Sequence, residues 1–120
     1  MSRLMKFALP LALLPTLQPA HAQMGFGRQW ETNVSLSQAD IDMITATLAQ
    51  KIHGHQVGTA ASWTNSASGN SGTLTLLRIF GRNSQRCEQI DYRISSSGQG
   101  SDRYDLVSCL QPDGTWKLSY

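Results

Sequence analysis

The residues of this chain that could do chemistry are few, and its histidines are the first to consider. His53 and His55 are two residues apart, so on an extended segment they could share a side and touch a metal ion. Structural metal sites usually take four protein ligands, and no further ligand is evident near them in the sequence. A histidine at a helix end, close to the negative pole of the helix dipole, is the alternative interpretation.

No catalytic motif is present in the sequence. Ser71 lies in Gly-Asn-Ser-Gly, which falls one residue short of the Gly-x-Ser-x-Gly nucleophile elbow. Asp40 and Asp42 are two apart and do not share a helical face, so they do not form a pair of catalytic carboxylates. The chain also has no phosphate-binding loop and no dinucleotide fingerprint. The sequence therefore predicts a protein that is not an enzyme and that uses no cofactor and no metal.

The two cysteines, Cys87 and Cys109, are better explained as a disulfide than as a nucleophile. The chain opens with an export signal, described below, and cysteines of exported proteins usually pair. Closing a loop of this size suggests roughly 3 kcal/mol of stabilisation, through restriction of the unfolded chain. Two free, buried thiols are the alternative.

The cysteines predict a hairpin register if Cys87 lies directly opposite Cys109 on antiparallel strands. One face is then apolar, with Ile90 opposite Leu106 and Tyr92 opposite Tyr104. A slip of one residue would turn this apolar set outward, so the pattern favours the stated register. The polar stretch 95–101 supplies the turn of the hairpin.

The opposite face of the same hairpin is charged. Like charges directly opposite one another are unfavourable, but in this register each aspartate is diagonal to an arginine of the other strand. Trp63 and Trp116 could add a surface on which a ligand stacks, and burial in the core is the alternative for both rings. The candidate binding surface consists of Trp63, Trp116, Asp91, Arg93, Arg103 and Asp105.

One amphipathic helix is predicted over residues 38–53. Apolar residues recur in steps of three and four, which places them in one stripe. Ser37 can cap the helix, Asp40 favours the positive end of its dipole, and Gly54 can close it. The stripe consists of Leu36, Ile41, Ile44, Leu48 and Ile52.

The remaining strands follow from alternation and turn signals. Residues 73–80 predict a strand in the interior of the sheet, because it is apolar on both sides. The stretches 81–85 and 111–114 predict turns, and residues 116–119 predict a last short strand. In the strand 73–80, Leu74, Leu76 and Phe80 are placed on one face, with Leu77 and Ile79 on the other. The predicted fold is α+β, a small antiparallel meander of about four strands with one N-terminal helix on one face and one disulfide.

The first 22 residues resemble a secretory signal peptide. Arg3 and Lys6 precede a short apolar run, and a small-x-small cleavage site ends at Ala22, so that Gln23 begins the mature chain. A membrane-spanning helix is the alternative, but the run is shorter than the ~20 residues that a span needs. Residues 23–35 are predicted to be a mobile N-terminal arm and residues 36–120 a single small domain.

The charge of the chain excludes one class of partner. The net charge of +2 falls to about zero once the signal is removed, because two of the ten basic residues belong to it. No basic face for nucleic acid is indicated. No other run in the sequence is long and apolar enough to predict a transmembrane segment in the mature chain.

Several segments, taken in order, resemble one family. They are the helix start Leu-Ser-Gln-Ala-Asp-Ile at 36–41, Ser-Trp-Thr-Asn at 62–65, Ser-Gly-Asn-Ser-Gly-Thr at 68–73, Cys87, and Cys-Leu-Gln-Pro-Asp-Gly-Thr-Trp at 109–116. Together they are similar to the C-terminal domain of the bacterial 17 kDa surface-antigen family, over roughly residues 34–119. The resemblance implies a cell-envelope protein, often associated with the outer membrane, without established enzymatic activity. Members often carry a lipid-anchored cysteine and a glycine zipper, and this sequence shows neither.

The expected function is therefore that of a non-catalytic cell-envelope protein, a structural or protein-interaction module. Its expected partner is an envelope protein or an envelope polymer. We expect the protein to be exported to the periplasm, either free or peripheral to the outer membrane or cell surface. The alternative is a periplasmic ligand-binding or hydrolase-inhibitor protein, since small stapled β-domains present rigid surfaces.

Overall fold

The computed structural model describes residues 34–119. The predicted signal peptide, its cleavage site between Ala22 and Gln23, and most of the predicted arm lie outside these residues. The described chain begins with helix α1 (Gln38–Thr47), which continues as a π-helical turn (Leu48–Ile52). The strands that follow are β1 (Ala60–Asn65), β2 (Asn70–Arg82), β3 (Gln85–Ser96), β4 (Gly100–Leu110) and β5 (Trp116–Ser119).

The five strands form one antiparallel sheet in sequence order, curved into a half-barrel. The α+β class and the meander are confirmed, but the sheet has five strands and the prediction of four was wrong. The additional strand is β1, which lies at an edge of the sheet. Of its six residues only Trp63 is a large apolar side chain, and its alternate positions are exposed. Because one face of this edge strand is exposed to solvent and the other has a single large apolar residue, the alternation of apolar and polar residues is too weak to predict the strand from the sequence.

The hairpin of β3 and β4 has the predicted register. Cys87 is directly opposite Cys109, and the two form a disulfide. The apolar pairs Ile90–Leu106 and Tyr92–Tyr104 follow, and they belong to the face that packs on the helix. We call this the inner face. The outer face carries the charged pairs Asp91–Asp105 and Arg93–Arg103.

The predicted faces of β2 were wrong beyond Leu76, because a β-bulge falls between Leu76 and Arg78. The extra residue, Leu77, is 39% exposed, and the alternation of faces shifts by one after it. Ile79 therefore packs against the core, whereas Phe80 lies outside it with the guanidinium of Arg78 over its ring at 4.2 Å.

The core lies between the helix and the inner face. The predicted helical stripe is confirmed: Ile41, Ile44, Leu48 and Ile52 are all buried. They pack in one cluster with Trp63 of β1, with Leu74 and Leu76 of β2, and with Ile90, Tyr92 and Ile94 of β3. The regular helix is shorter than the predicted 38–53, since the last turn is π-helical and the backbone is extended at His53.

The start of the described chain is tied to the far end of the sheet. Val34 is fully buried in the core, and its N–H donates to Oδ2 of Asp102 at 2.9 Å. The carbonyl of Ser35 accepts from Nδ2 of Asn70 at 2.9 Å. Val34 thus ties the entry to α1 to the start of β4, and Ser35 ties it to the start of β2.

Candidate functional site

The most complete polar site in the described chain surrounds the carboxylate of Asp40, which is buried. Its Oδ1 accepts from Nδ2 of Asn65 (2.8 Å) and from the hydroxyl of Ser68 (2.7 Å). Its Oδ2 accepts from the backbone N–H of Ser37 (2.9 Å) and from Nδ2 of Asn70 (2.7 Å). We call this arrangement the Asp40 hub. It joins the start of α1 to the turn between β1 and β2.

The local sequence explains how the hub forms. Ser37 and Asp40 make a capping box, in which the Ser37 hydroxyl accepts from the N–H of Asp40 at 3.1 Å. Asn65 and Asn70 are paired across β1 and β2, and both are buried on the inner face. The four-residue turn between them holds Ser68 beside the helix start.

The hub keeps Asp40 ionised. Burial by itself would raise the pKa of a carboxyl group, but the hydrogen bonds from Ser68, Ser37, Asn70 and Asn65 outweigh it and lower the pKa of Asp40 to about 2. The Asp40 carboxylate is fully buried, and each of its two oxygens accepts two hydrogen bonds. The Asp40 hub therefore holds the start of α1 against the turn between β1 and β2.

The sequence placed Asp40 at the helix start but missed its partners. Asn65, Ser68 and Asn70 all belong to the segments that resemble the surface-antigen family, and the hub gives those segments a structural role. The available signal was the pair of asparagines at the two ends of a short turn. It becomes informative only once the strand pairing places both on the inner face.

A second polar cluster lies where the helix ends, around the buried side chain of Glu88. The Nδ1–H of His53 donates to Glu88 Oε1 at 2.7 Å, and the N–H of Gly54 donates to Oε2 at 3.0 Å. Nε of Arg86 reaches Oε2 at 3.2 Å. The ring of Trp116 stacks on that of His53, with centroids 4.0 Å apart and planes 3° from parallel.

The electrostatics of this second cluster favour a charged Glu88. Burial would raise the pKa of the carboxyl group, but the hydrogen bonds from His53, Gly54 and Arg86 lower it on balance. Nearby, burial raises the pKa of Tyr92 far above its usual value, despite a hydrogen bond with Ser108. Glu88 thus anchors the end of the helix to β3, and β5 joins this cluster through the stacking of Trp116 on His53.

The histidines do not meet as the metal interpretation requires. His53 is committed to Glu88, while His55 is exposed and its Nδ1 lies 3.2 Å from the carbonyl of His53. Across residues 34–119, no three His, Cys, Asp or Glu side chains are grouped so that they could hold a metal ion.

The six residues of the candidate binding surface lie on two faces of the sheet. Trp63 is 5% exposed in the core, and Trp116 is half-buried against His53, both on the inner side. The four charged residues lie on the outer face. One of them, Arg93, borders an open depression that Trp63 also lines. The structure therefore does not bring all six residues together into one surface.

The charged residues of the outer face do meet one another, around Asp91. This aspartate accepts from Nε of Arg103 at 2.8 Å, the predicted diagonal pair, and from Nε of Arg93 at 3.2 Å along its own strand. Asp105 accepts from Nε2 of Gln89 at 2.9 Å. The hydrogen bond to Asp91 raises the pKa of Arg103. Asp91 is thus shared between two exposed arginines.

Comparison with known proteins gives a distant similarity. No family model matches the chain. The 17 kDa surface antigens of Rickettsia bellii strain RML369-C and of Rickettsia bellii are each 24% identical to it over 89 residues, which is 73% of this chain and 55% of theirs. The chain thus spans about half the length of these relatives. No solved structure matches. The identity supports a distant relationship to a surface antigen.

Proposed function

We propose that this protein is a non-catalytic module of the bacterial cell envelope, with a structural or protein-interaction role. The observation that carries the proposal is the similarity to proteins named 17 kDa surface antigens, which extends over 73% of the chain. Its expected partner is an envelope protein or an envelope polymer.

The Asp40 hub supports a non-catalytic role for the segments that carry the resemblance. Two of their polar side chains, Asn65 and Asn70, are buried and donate to Asp40. They are engaged in holding α1 on the sheet and do not line an open cleft. We infer that these segments serve folding in this chain.

Export of the protein is part of the proposal. The Cys87–Cys109 disulfide suits an oxidising compartment, and the first 22 residues have the pattern of a signal peptide. Within the described part of the chain, no helix has the length and apolar character that a membrane span requires. We place the protein in the periplasm, peripheral to the outer membrane or the cell surface.

Cell fractionation of a C-terminally tagged chain, with mass measurement of the purified product, tests this proposal. We expect a product that begins at Gln23, contains one disulfide and sediments with the envelope. A product that retains Met1, has two free thiols and stays in the cytosol would refute the proposal. A freely diffusing periplasmic product would instead favour the ligand-binding or inhibitor role.

A further inference from the structure

We propose that the outer face of the sheet carries a groove for saccharides that bear a phosphate group, with Arg93 and Arg103 holding the phosphate. The groove lies beside the turn of the β3–β4 hairpin. This inference deepens the proposed function. It rests on that function in one respect: an envelope location would expose the groove to envelope saccharides. The binding itself is argued from the geometry of the sheet.

The two arginines form a fixed pair. They are directly opposite one another on β3 and β4, and each uses its Nε to reach the shared carboxylate of Asp91. The side chain of Asp91 is 6% exposed, whereas those of Arg93 and Arg103 are 61% and 65% exposed. One carboxylate offsets only one of the two positive charges. A guanidinium has five N–H donors, so both groups keep donors for a phosphate, whose geometry suits such forks.

Three acidic side chains lie near this pair, and one of them, Asp102, lines the groove. Asp105 is opposite Asp91, on the side of the arginine pair that is remote from the hairpin turn, and it accepts from Gln89. The Asp102 carboxylate is engaged by the N–H of Val34. Neither Asp91 nor Asp105 lines the groove. The side of the arginine pair that faces the turn therefore carries both guanidiniums and one carboxylate, which a backbone N–H already engages.

The groove consists of two open depressions that share Arg93 and Ser95. The depression between the arginines and the hairpin turn has a volume of about 420 Å³. The second, over β1 and β2, has about 330 Å³. Their walls present hydroxyl groups, from Ser62, Thr64, Ser71, Thr73, Ser95 and Ser101.

This combination selects a class of ligand. Hydroxyl groups both donate and accept hydrogen bonds, as sugar hydroxyls do, and they carry no charge. A phosphate bound between the arginines would place an attached sugar over the neighbouring hydroxyl row. An acidic peptide would use the guanidiniums but would gain little from the hydroxyl row. The geometry therefore favours a phosphosaccharide, either free or as the headgroup of a lipid.

An NMR titration of the purified, processed protein tests the groove. Glucosamine 1-phosphate should produce saturable shifts of the Ser71, Ser95 and Ser101 amides. Glucosamine should produce none, and inorganic phosphate should bind at least about threefold more weakly than the phosphosugar. R93Q, R103Q and R103K should each weaken binding by about tenfold, the last because lysine keeps the charge but loses the fork.

R78Q is the matched control. Arg78 lies on the same face, with its guanidinium over the ring of Phe80, and lines neither depression. The affinity of R78Q for glucosamine 1-phosphate should stay within about twofold of that of the wild type. Circular dichroism of each variant checks that it is folded. If R103Q does not fold, R103K replaces it in the comparison. Equal loss in R78Q, or equal affinity for phosphate and phosphosugar, would overturn the proposal, as would tighter binding of a hexaglutamate peptide.

Vesicles distinguish the two sources of the ligand. Phosphatidylcholine vesicles that carry a phosphorylated glycolipid should sediment the protein if the sugar is a lipid headgroup. Binding of the soluble phosphosugar alone indicates a free saccharide, and both results support the groove. Equal sedimentation with phosphatidylglycerol vesicles would overturn it, since that lipid supplies the charge without the sugar. A failed titration leaves the envelope location intact, because fractionation measures location independently.

Discussion

The carboxylate of Asp40 accepts a hydrogen bond from Nδ2 of Asn70 at 2.7 Å, within the interior and across 30 residues of chain. Asp40 caps the helix and Asn70 begins β2, so this bond fixes the helix start against the sheet. Burying a carboxylate destabilises a protein little when every lone pair accepts a hydrogen bond. The free-energy penalty becomes large when one of the donors loses its acceptor.

Asp40→Asn is therefore expected to lower the free energy of unfolding by about 3 kcal/mol. The amide of the new side chain would point an N–H at one of the donors from Asn65, Ser68 or Asn70, and the capping box would be weakened. Urea unfolding measures the change.

Asp42→Asn is the matched control for this substitution. Asp42 is exposed on the same helix, where it accepts from Gln38 at 3.1 Å, and its loss should cost less than about 0.5 kcal/mol. Equal losses for the two variants would contradict a structural role for the hub.

The pH dependence of stability should carry the signature of Asp40. Its pKa is about 2 in the folded protein and 3.8 without the fold, so its contribution is fully present above about pH 4. The contribution is lost as the pH falls through 2, and it amounts to about 2 kcal/mol. The difference in stability between the wild type and D40N should narrow by that amount between pH 5 and pH 2. A constant difference across this range would show that Asp40 is not held ionised.

The sequence predicted those features that a local pattern encodes. Two cysteines and an alternating apolar set were enough for the β3–β4 register, and three- and four-residue steps were enough for the helical stripe. The β-bulge at Leu77 was not predicted, because Leu77 is as apolar as Leu76 and Ile79. The partners of Asp40 come from a turn about 25 residues away, so only the tertiary structure brings them together.

The contacts of the charged outer face were predictable in part, because the hairpin register is encoded locally. The hairpin register places Arg103 diagonal to Asp91, and that pair forms. Arg93 instead binds Asp91 along its own strand, and Asp105 binds Gln89. These choices depend on side-chain conformations that a register does not specify. The register therefore predicted which charged side chains share the outer face and the Asp91–Arg103 pair, but it did not predict the partners of Arg93 and Asp105.

Gly72→Ala should be strongly destabilising. A Cβ at Gly72 would lie 2.4 Å from the carbonyl oxygen of Arg93 and 2.6 Å from Nε1 of Trp63, so the strand pairing or the buried ring would have to move. We expect a loss of at least about 2 kcal/mol in urea unfolding. Gly98→Ala, where nothing lies within 4 Å of the added atom, should be close to neutral. A tolerated G72A would mean that Trp63 does not pack over Gly72.

Substitutions at Glu88 test whether this residue is the anchor of the helix end. Glu88→Ala leaves His53, the N–H of Gly54 and Arg86 without their acceptor, and we expect a loss of about 3 kcal/mol or more. Glu88→Gln keeps the volume and one acceptor, so its loss should be smaller, about 1–2 kcal/mol. Urea unfolding at pH 7, where the lowered pKa of Glu88 leaves the group charged, gives both values.

Arg86→Gln completes the series and separates the buried contacts of Glu88 from the exposed one. The Arg86 side chain is 38% exposed, so its ion pair with Glu88 is screened by water and should contribute less than about 1 kcal/mol. The stacking of Trp116 on His53 gives a second readout, because freeing the imidazole should alter Trp116 fluorescence in E88A but not in R86Q. If R86Q were as damaging as E88A, the surface ion pair would dominate, and His53 and Gly54 would not be the contacts that anchor the helix.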